Sequence, residues 1–128
     1  MEAEHENVAC RGIMNWDRAP AFSGSEIIAD LRDQDAGNSS HEYTILNQGV
    51  QSTVLKFQHG PVKEKGINGI TNEQLLSVLI DRMEGFQSSR FSCRENAIVL
   101  THLQDAAHWL NHRTVARLNR GVEGENKP

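Results

Sequence analysis

A cluster of aromatic, arginine and amide side chains falls within eleven consecutive positions of the sequence. Its members are Phe86, Arg90, Phe91, Arg94 and Asn96. Aromatic faces stack on nucleobases, guanidinium groups bind phosphates, and an amide can read the edge of a base or a ribose. The cluster therefore predicts a nucleotide site. The alternative is that Phe86 and Phe91 pack as core residues that hold the loop of a helical hairpin, which is the more ordinary role for Phe91 directly before a helix cap.

Three arginines further along the chain recur at helical spacing. Arg113, Arg117 and Arg120 follow one another at intervals of four and three residues, so in a helix they share one face. Like charges in a row repel one another, and the planar guanidinium fork suits phosphate. The stripe predicts a second anion-binding surface. Its alternative is a solvated basic face balanced by the nearby Glu123 and Glu125.

Residues that would support catalysis or hold a metal do not form a recognisable set. His108 and His112 are four positions apart, but the residues between them lack the glutamate of a zinc-protease motif, and no third ligand is evident. Cys93 has no histidine close to it in sequence that would serve as a base. We therefore expect no catalytic residues, no metal and no cofactor.

The first of two predicted helices begins at a capping box formed by Thr71 and Gln74. Gly85 is the residue expected to end it. Its apolar face should comprise Leu75, Leu76, Leu79, Ile80 and Met83. A polar turn lies ahead of this helix, and there Lys63 and Asn68 are further candidates for contact with a ligand, or else ordinary loop residues.

The second predicted helix begins at a capping box whose first residue is Ser92. It should run from Cys93 to about Arg120, with Gly121 as its C-terminal cap. Its apolar stripe should comprise Val99, Leu100, Leu103, Ala106, Ala107 and Leu110. The two helices form a hairpin over residues 71–120. Because two helices cannot bury both apolar faces alone, we expect other subunits to contribute to the core.

A β-hairpin should precede the helices at residues 43–57, where two runs rich in β-branched and aromatic residues flank a glycine turn. Residues 1–40 make a separate N-terminal segment, in which residues 25–32 are expected to form two helical turns. The main domain spans residues 41–128. The predicted fold class is α+β, with a short antiparallel β part followed by the helical hairpin.

Charge is distributed unevenly along the 128 residues, whose net charge is −4. Residues 1–42 hold nine acidic and three basic residues, whereas residues 43–128 hold eight acidic and ten basic ones. An anionic ligand should therefore bind in the C-terminal two thirds, and the basic footprint of a duplex DNA-binding protein is missing. No stretch is long enough for a membrane helix. The acidic residues 1–7 do not resemble a signal peptide, which favours the cytoplasm.

Several segments resemble a family of phage anti-defence sponges built on a helical hairpin. They read GFQSSRFSCREN from position 85, THLQDAAHWLNHRT from position 101 and RGVEG from position 120. The stretch HGPVKEKGINGITNEQLL, from position 59, is similar to the Thoeris anti-defence branch of that family. The resemblance covers roughly residues 42–123. It implies a protein that binds an immune signalling nucleotide and sequesters it without degradation.

The resemblance also implies a ligand and an assembly. The ligand would be the glycocyclic ADP-ribose of Thoeris, and some members also hold cyclic di- or trinucleotides of CBASS in a separate pocket. Phe86 and Asn96 match the aromatic and amide positions of the ADP-ribose pocket. Arg113 and Arg117 match arginines on the second helix of the family, which serve either pocket. The implied assembly is a homo-oligomer, a hexamer, in the cytoplasm of the infected bacterial host.

Two other functions stay open on the sequence. A nucleotide-degrading enzyme would use the same recognition residues together with a base such as His102 or His108. A single-stranded nucleic-acid-binding module would use the same stacking and phosphate groups. The missing nucleophile–base pair argues against the enzyme, and the negative net charge argues against the polymer binder.

Overall fold

The structure is a computed structural model that describes residues 9–128 and divides into two compact units. We call residues 9–60 with 67–69 the sheet unit, and residues 61–66 with 70–128 the helical unit. The acidic start of the chain, where no signal peptide is expected, lies outside the described residues.

The sheet unit is a four-stranded antiparallel meander. Its strands pair in chain order and are β1 (Cys10–Ile13), β2 (Glu26–Asp30), β3 (Glu42–Leu46) and β4 (Thr53–Lys56). Strands β3 and β4 confirm the hairpin expected at residues 43–57, and their register places Tyr43 opposite Leu55. A short 3₁₀ helix, Pro20–Phe22, lies between β1 and β2.

The two helical turns expected at residues 25–32 are wrong, because this segment forms β2. Ile27 pairs with Ile13 on one side and with Ile45 on the other, so three β-branched side chains lie next to one another across the sheet. Such cross-strand pairing outweighs a weak helical periodicity. Residues 10–30 thus supply two of the four strands.

Residues 67–69 pack against residues 57–59, which follow β4. The side-chain amide of Asn68 accepts from the N–H of His59 and donates to its carbonyl oxygen, at 2.8 Å in each case. Beside it, a Cβ built on Gly69 would lie 2.5 Å from the carbonyl carbon of Phe57. This close approach of two backbones requires glycine at position 69.

The helical unit contains α1 (Val62–Lys65), α2 (Asn72–Gln87) and α3 (Arg94–Arg120). Helices α2 and α3 pack against each other, which confirms the hairpin expected over residues 71–120. The half-buried or buried positions of α3 recur at intervals of four and three residues and form the seam of this hairpin. They are Asn96, Leu100, Leu103, Ala107, Leu110, Thr114 and Arg117.

The N-terminus of α2 has the expected cap, but its C-terminus lies further along the chain. Thr71 Oγ1 accepts from the N–H of Gln74, and Gln74 Oε1 accepts from the N–H of Thr71, so the capping box is confirmed. Gly85 does not end the helix, which continues to Gln87. Ser88 is the C-cap residue.

The N-terminus of α3 lies one residue beyond the expected cap. The N-cap residue is Cys93, not Ser92: its backbone is extended, and its Sγ accepts from the N–H of Asn96 at 3.4 Å. The sulfur therefore takes the place that a serine oxygen usually has. At the other end Gly121, with φ of 73°, confirms the C-terminal cap.

The protein has little buried apolar surface of its own. Within residues 9–128, Ala29 is the buried apolar residue, and no large side chain is fully buried. Val99 and Ala106, expected in the apolar stripe of α3, are exposed because each lies one position before a residue of the hairpin seam. Leu79, expected in the apolar face of α2, is exposed as well, whereas the next residue, Ile80, is half-buried. None of the described helices combines the length and apolar composition needed to cross a membrane.

Candidate functional site

Serine hydroxyls hold the loop between α2 and α3. Ser88 Oγ donates to the carbonyl oxygen of Gly85 at 3.0 Å, and Ser89 Oγ donates to that of Phe86 at 2.7 Å. Ser89 Oγ also accepts from the N–H of Phe91 at 3.1 Å. These bonds satisfy backbone groups that the end of a helix leaves without helical partners. They fix the backbone from which Phe86 and Phe91 project.

A shallow depression of about 290 Å³, largely open to solvent, lies at this loop, and we refer to it as the cavity. Its lining consists of Arg82, Gly85, Phe86, Ser89 and Phe91. Phe86 is 39% exposed and Phe91 is 59% exposed, so neither ring is enclosed as a core residue that closes the turn would be. Rings with accessible faces in the wall of a cavity can stack on a flat ring of a ligand.

An arginine lies over each of these two rings. Arg82 Cζ is 5.8 Å from the centroid of Phe86, and Arg90 Cζ is 4.9 Å from that of Phe91. The ring quadrupole attracts a guanidinium in this position. Arg90, expected to bind phosphate, is not in the cavity lining, whereas Arg82 is. Sequence reasoning missed Arg82, although its place four residues before Phe86 on one helix was the available signal.

Arg94 and Asn96 lie in the first turn of α3, next to the loop. Arg94 is exposed, and Asn96 is the half-buried first position of the hairpin seam. The free N–H groups and the dipole of such a turn favour an anion. The hairpin therefore brings the whole sequence cluster to one end, but Arg94 and Asn96 do not line the cavity. Their roles stay predictions.

The basic stripe on the C-terminal half of α3 is partly buried. Arg113 and Arg120 are exposed, whereas Arg117 is only 6% exposed. The Arg117 guanidinium donates to three backbone carbonyl oxygens, those of Val122, Glu125 and Lys127. Its Nε also lies 3.4 Å from Glu123 Oε2, an ion pair that lacks hydrogen-bond geometry.

The segment of residues 122–128 thus engages groups that the stripe was expected to offer to phosphate. Arg120 likewise donates to the carbonyl oxygen of Pro128 at 2.8 Å. Arg113 makes no ion pair with any residue of the described part of the chain. In this arrangement Arg113 is therefore the stripe arginine that is exposed and makes no bond to residues 122–128, and the ligand roles of all three stay predictions.

Comparison with known proteins gives two matches. The model of the family described as "Acb2/Tad1, hairpin domain" matches residues 52–115. The protein named "Thoeris anti-defense 1", from Bacillus phage SBSphiJ7, is 40% identical over 105 residues, which are 82% of this chain and 74% of that relative. The chain belongs to the phage Thoeris anti-defence sponge family. It is therefore a phage anti-defence protein, and the resemblance read from its sequence is confirmed.

The match to the hairpin domain of this family covers the cavity at the α2–α3 loop and Arg113. It ends before Arg117 and Arg120, the two stripe arginines that bond to the C-terminal segment.

The two candidates in the turn ahead of α2 are engaged within the chain. Lys63 donates its backbone N–H to the carbonyl oxygen of Gly124 at 3.1 Å, and its Nζ lies 3.9 Å from Glu125 Oε2. Asn68 holds the backbone of His59, as described above. Lys63 belongs to the helical unit and Asn68 to the sheet unit. Ligand contact by either residue stays a prediction.

The histidines of α3 are exposed and have no carboxylate partner among the described residues. Their contacts are with an aromatic ring, because His108 and His112 lie edge-on to Trp109, with centroids 5.8 and 5.6 Å away. In residues 9–128 no group of three histidine, cysteine or acidic side chains is placed to hold a metal ion.

The sheet unit contains a histidine–carboxylate pair that sequence reasoning did not find. His59 Nε2 lies 2.9 Å from Asp33 Oδ2, and the ring of His59 stacks on that of His41 at 4.0 Å. The hydrogen bond from His59 lowers the pKa of Asp33, and the backbone N–H of Asp35 contributes to the same shift. These residues are far apart in sequence and meet only because β2, β3 and β4 are neighbours.

Proposed function

We propose that this protein binds an immune signalling nucleotide at the α2–α3 loop and sequesters it without degrading it. The observation that carries the proposal is a cavity whose wall combines two exposed phenylalanine rings with an arginine. The rings offer stacking faces to a base, while the guanidinium and the first turn of α3 attract phosphate. Recognition of this kind needs no nucleophile.

The ligand we propose is glycocyclic ADP-ribose, following the Thoeris branch of the family. Such a molecule has an adenine ring to stack and a pyrophosphate to neutralise, which fits the chemistry of the cavity. Phe86 and Asn96 would form its ring and amide contacts, and Arg90 and Arg94 would face its phosphates. Arg113 is the residue we propose for a separate pocket that takes cyclic di- or trinucleotides.

We also propose that the protein is a homo-oligomer, with the hexamer as the form that the family resemblance implies. Large apolar side chains on the helices are exposed, including Leu79 at 39%, Val115 at 46% and Trp109 at 66%. A second copy would remove these surfaces from water, and a subunit interface is a common place to enclose a small ligand. Light scattering at micromolar concentration tests this point, and a stable monomer would contradict it.

The decisive experiment for sequestration is recovery of the ligand. The protein is incubated with glycocyclic ADP-ribose, separated from unbound nucleotide, denatured by heat and analysed by mass spectrometry. We expect intact ligand in proportion to the protein. Linear or cleaved product in excess over the protein would instead support the nucleotide-degrading enzyme.

The location of the site is tested by a matched pair of substitutions. Phe86 and Phe22 are equally exposed, at 39% and 41%, but Phe22 lies in the sheet unit. Loss of a stacking ring costs roughly 1–3 kcal/mol, so Phe86→Ala should weaken binding about five- to 150-fold in calorimetry. Phe22→Ala should leave the affinity unchanged. An equal loss of ligand affinity in both variants would show that the cavity is not the binding site.

A further inference from the structure

One charged residue lines the cavity at the α2–α3 loop. Of the five lining residues, Arg82 carries the charge, and the others are a glycine, a serine and two phenylalanines. Its guanidinium is held over the ring of Phe86, with Cζ 5.8 Å from the ring centroid. This contact keeps a long flexible side chain next to the cavity before any ligand arrives.

Arg82 forms no ion pair on its own helix, although Asp81 and Glu84 lie one and two positions away. The residues three and four positions away, where a helical ion-pair partner would stand, are Val78, Leu79, Gly85 and Phe86. No ion pair joins Arg82 to any of residues 9–128. A guanidinium in this situation is available to an anion from outside the chain.

The other polar side chain of the lining, that of Ser89, is already engaged within the loop. The Ser89 hydroxyl donates to the carbonyl oxygen of Phe86 and accepts from the N–H of Phe91. The Arg90 guanidinium lies over the ring of Phe91, but Arg90 itself is not part of the lining. Recognition of an anion inside the cavity therefore depends on Arg82.

From these contacts we infer that Arg82 binds the phosphate of the nucleotide whose ring stacks on Phe86. The inference rests on the proposed function and adds the residue that supplies its charge recognition. Because Arg82 and Phe86 are one helical turn apart, the same stretch of α2 recognises both the ring and the phosphate of the ligand. Arg90 and Arg94, which are not part of the lining, would then contact only those phosphate oxygens of the ligand that project out of the cavity.

The test uses the full chain and three probes: glycocyclic ADP-ribose, adenosine, which lacks phosphate, and inorganic pyrophosphate, which lacks the ring. Arg82→Gln should weaken binding of the nucleotide and of pyrophosphate at least tenfold and make the remaining nucleotide affinity less sensitive to salt. Binding of adenosine should not change. Arg82→Lys should keep the salt sensitivity but recover only part of the affinity, because lysine lacks the planar fork.

A matched control is Arg18→Gln in the sheet unit. Arg18 also stands over an aromatic ring, with Cζ 6.0 Å from the centroid of Trp16. This variant should bind all three probes like the unmodified protein. Circular dichroism and thermal unfolding establish that each variant is folded.

Each outcome separates this inference from the proposed function. If Phe86→Ala loses the nucleotide while Arg82→Gln binds it within twofold of the unmodified protein, the site stands and the role of Arg82 is refuted. An equal loss of adenosine binding in Arg82→Gln, or a gain in nucleotide affinity, also refutes it. If pyrophosphate binds through Arg82 but no signalling nucleotide binds, the phosphate role stands and the proposed function fails.

Discussion

Gly85→Ala should stabilise the helical hairpin and weaken ligand binding in the same molecule. Gly85 lies inside α2 and lines the cavity. A Cβ built on it meets no heavy atom within 4 Å, so the added methyl would enter open space without contacting the protein. If that space is where the ligand binds, the methyl group occupies part of the site.

The two effects have opposite signs and different sizes. Alanine is favoured over glycine within a helix by roughly 0.5–1 kcal/mol, because glycine loses more backbone entropy on folding. Since α2 ends two residues later, at Gln87, we expect the lower value, a rise in midpoint of about 1–3 °C. Overfilling a packed interface typically costs about 1–3 kcal/mol, which predicts binding that is weaker by about five- to 150-fold.

The assay compares thermal unfolding and titration calorimetry on the same preparations. Gly24→Ala is the control, since a Cβ at this glycine of the sheet unit also meets nothing within 4 Å. It should leave the affinity unchanged. A Gly85→Ala protein that is more stable and binds with unaltered affinity would show that the ligand does not occupy this cavity. A protein with lower stability would refute the helical assignment of Gly85.

Three further outcomes follow from single contacts. Gly69→Ala should lower the free energy of unfolding by about 1–3 kcal/mol in urea titration, because its Cβ would lie 2.5 Å from the Phe57 carbonyl carbon; an unchanged value would contradict this approach of the two backbones. Arg117→Ala removes the donors to three carbonyl oxygens, so it should cost about 1.5–3 kcal/mol and speed protease cleavage within residues 122–128; resistance equal to that of the unmodified protein would argue against the attachment. The pKa of Asp33 is lowered by His59, so its contribution to stability is present above the ordinary value of 3.8 and is lost as pH falls through the lower folded-state pKa. Asp33→Asn should therefore flatten the acid limb of a stability-against-pH curve, and parallel curves would contradict the pairing.

The sequence by itself determined the helical hairpin, because its signals are local. The Thr71 capping box, the apolar periodicity of α2 and α3, and the glycine at position 121 each act over one or two helical turns. The cluster from Phe86 to Asn96 was readable for the same reason, since the residues of one connecting loop and its flanking turns must lie near each other. Family membership could also be predicted from the sequence, because several segments resemble the family in the same order along the chain, although no single motif is diagnostic.

Tertiary structure alone decided the features that depend on distant residues. Residues 26–30 form a strand because β1 and β3 pair with them, and no local pattern in the sequence indicates which strands will pair. Helical spacing placed Arg117 on a basic face, but the C-terminal segment folds back, buries it and supplies carbonyl oxygens to its guanidinium. Arg82 gained a candidate role only once the hairpin loop placed Phe86 and Phe91 in one wall with it. Spacing in sequence states which groups share a face, whereas packing decides which of those faces is accessible to a ligand.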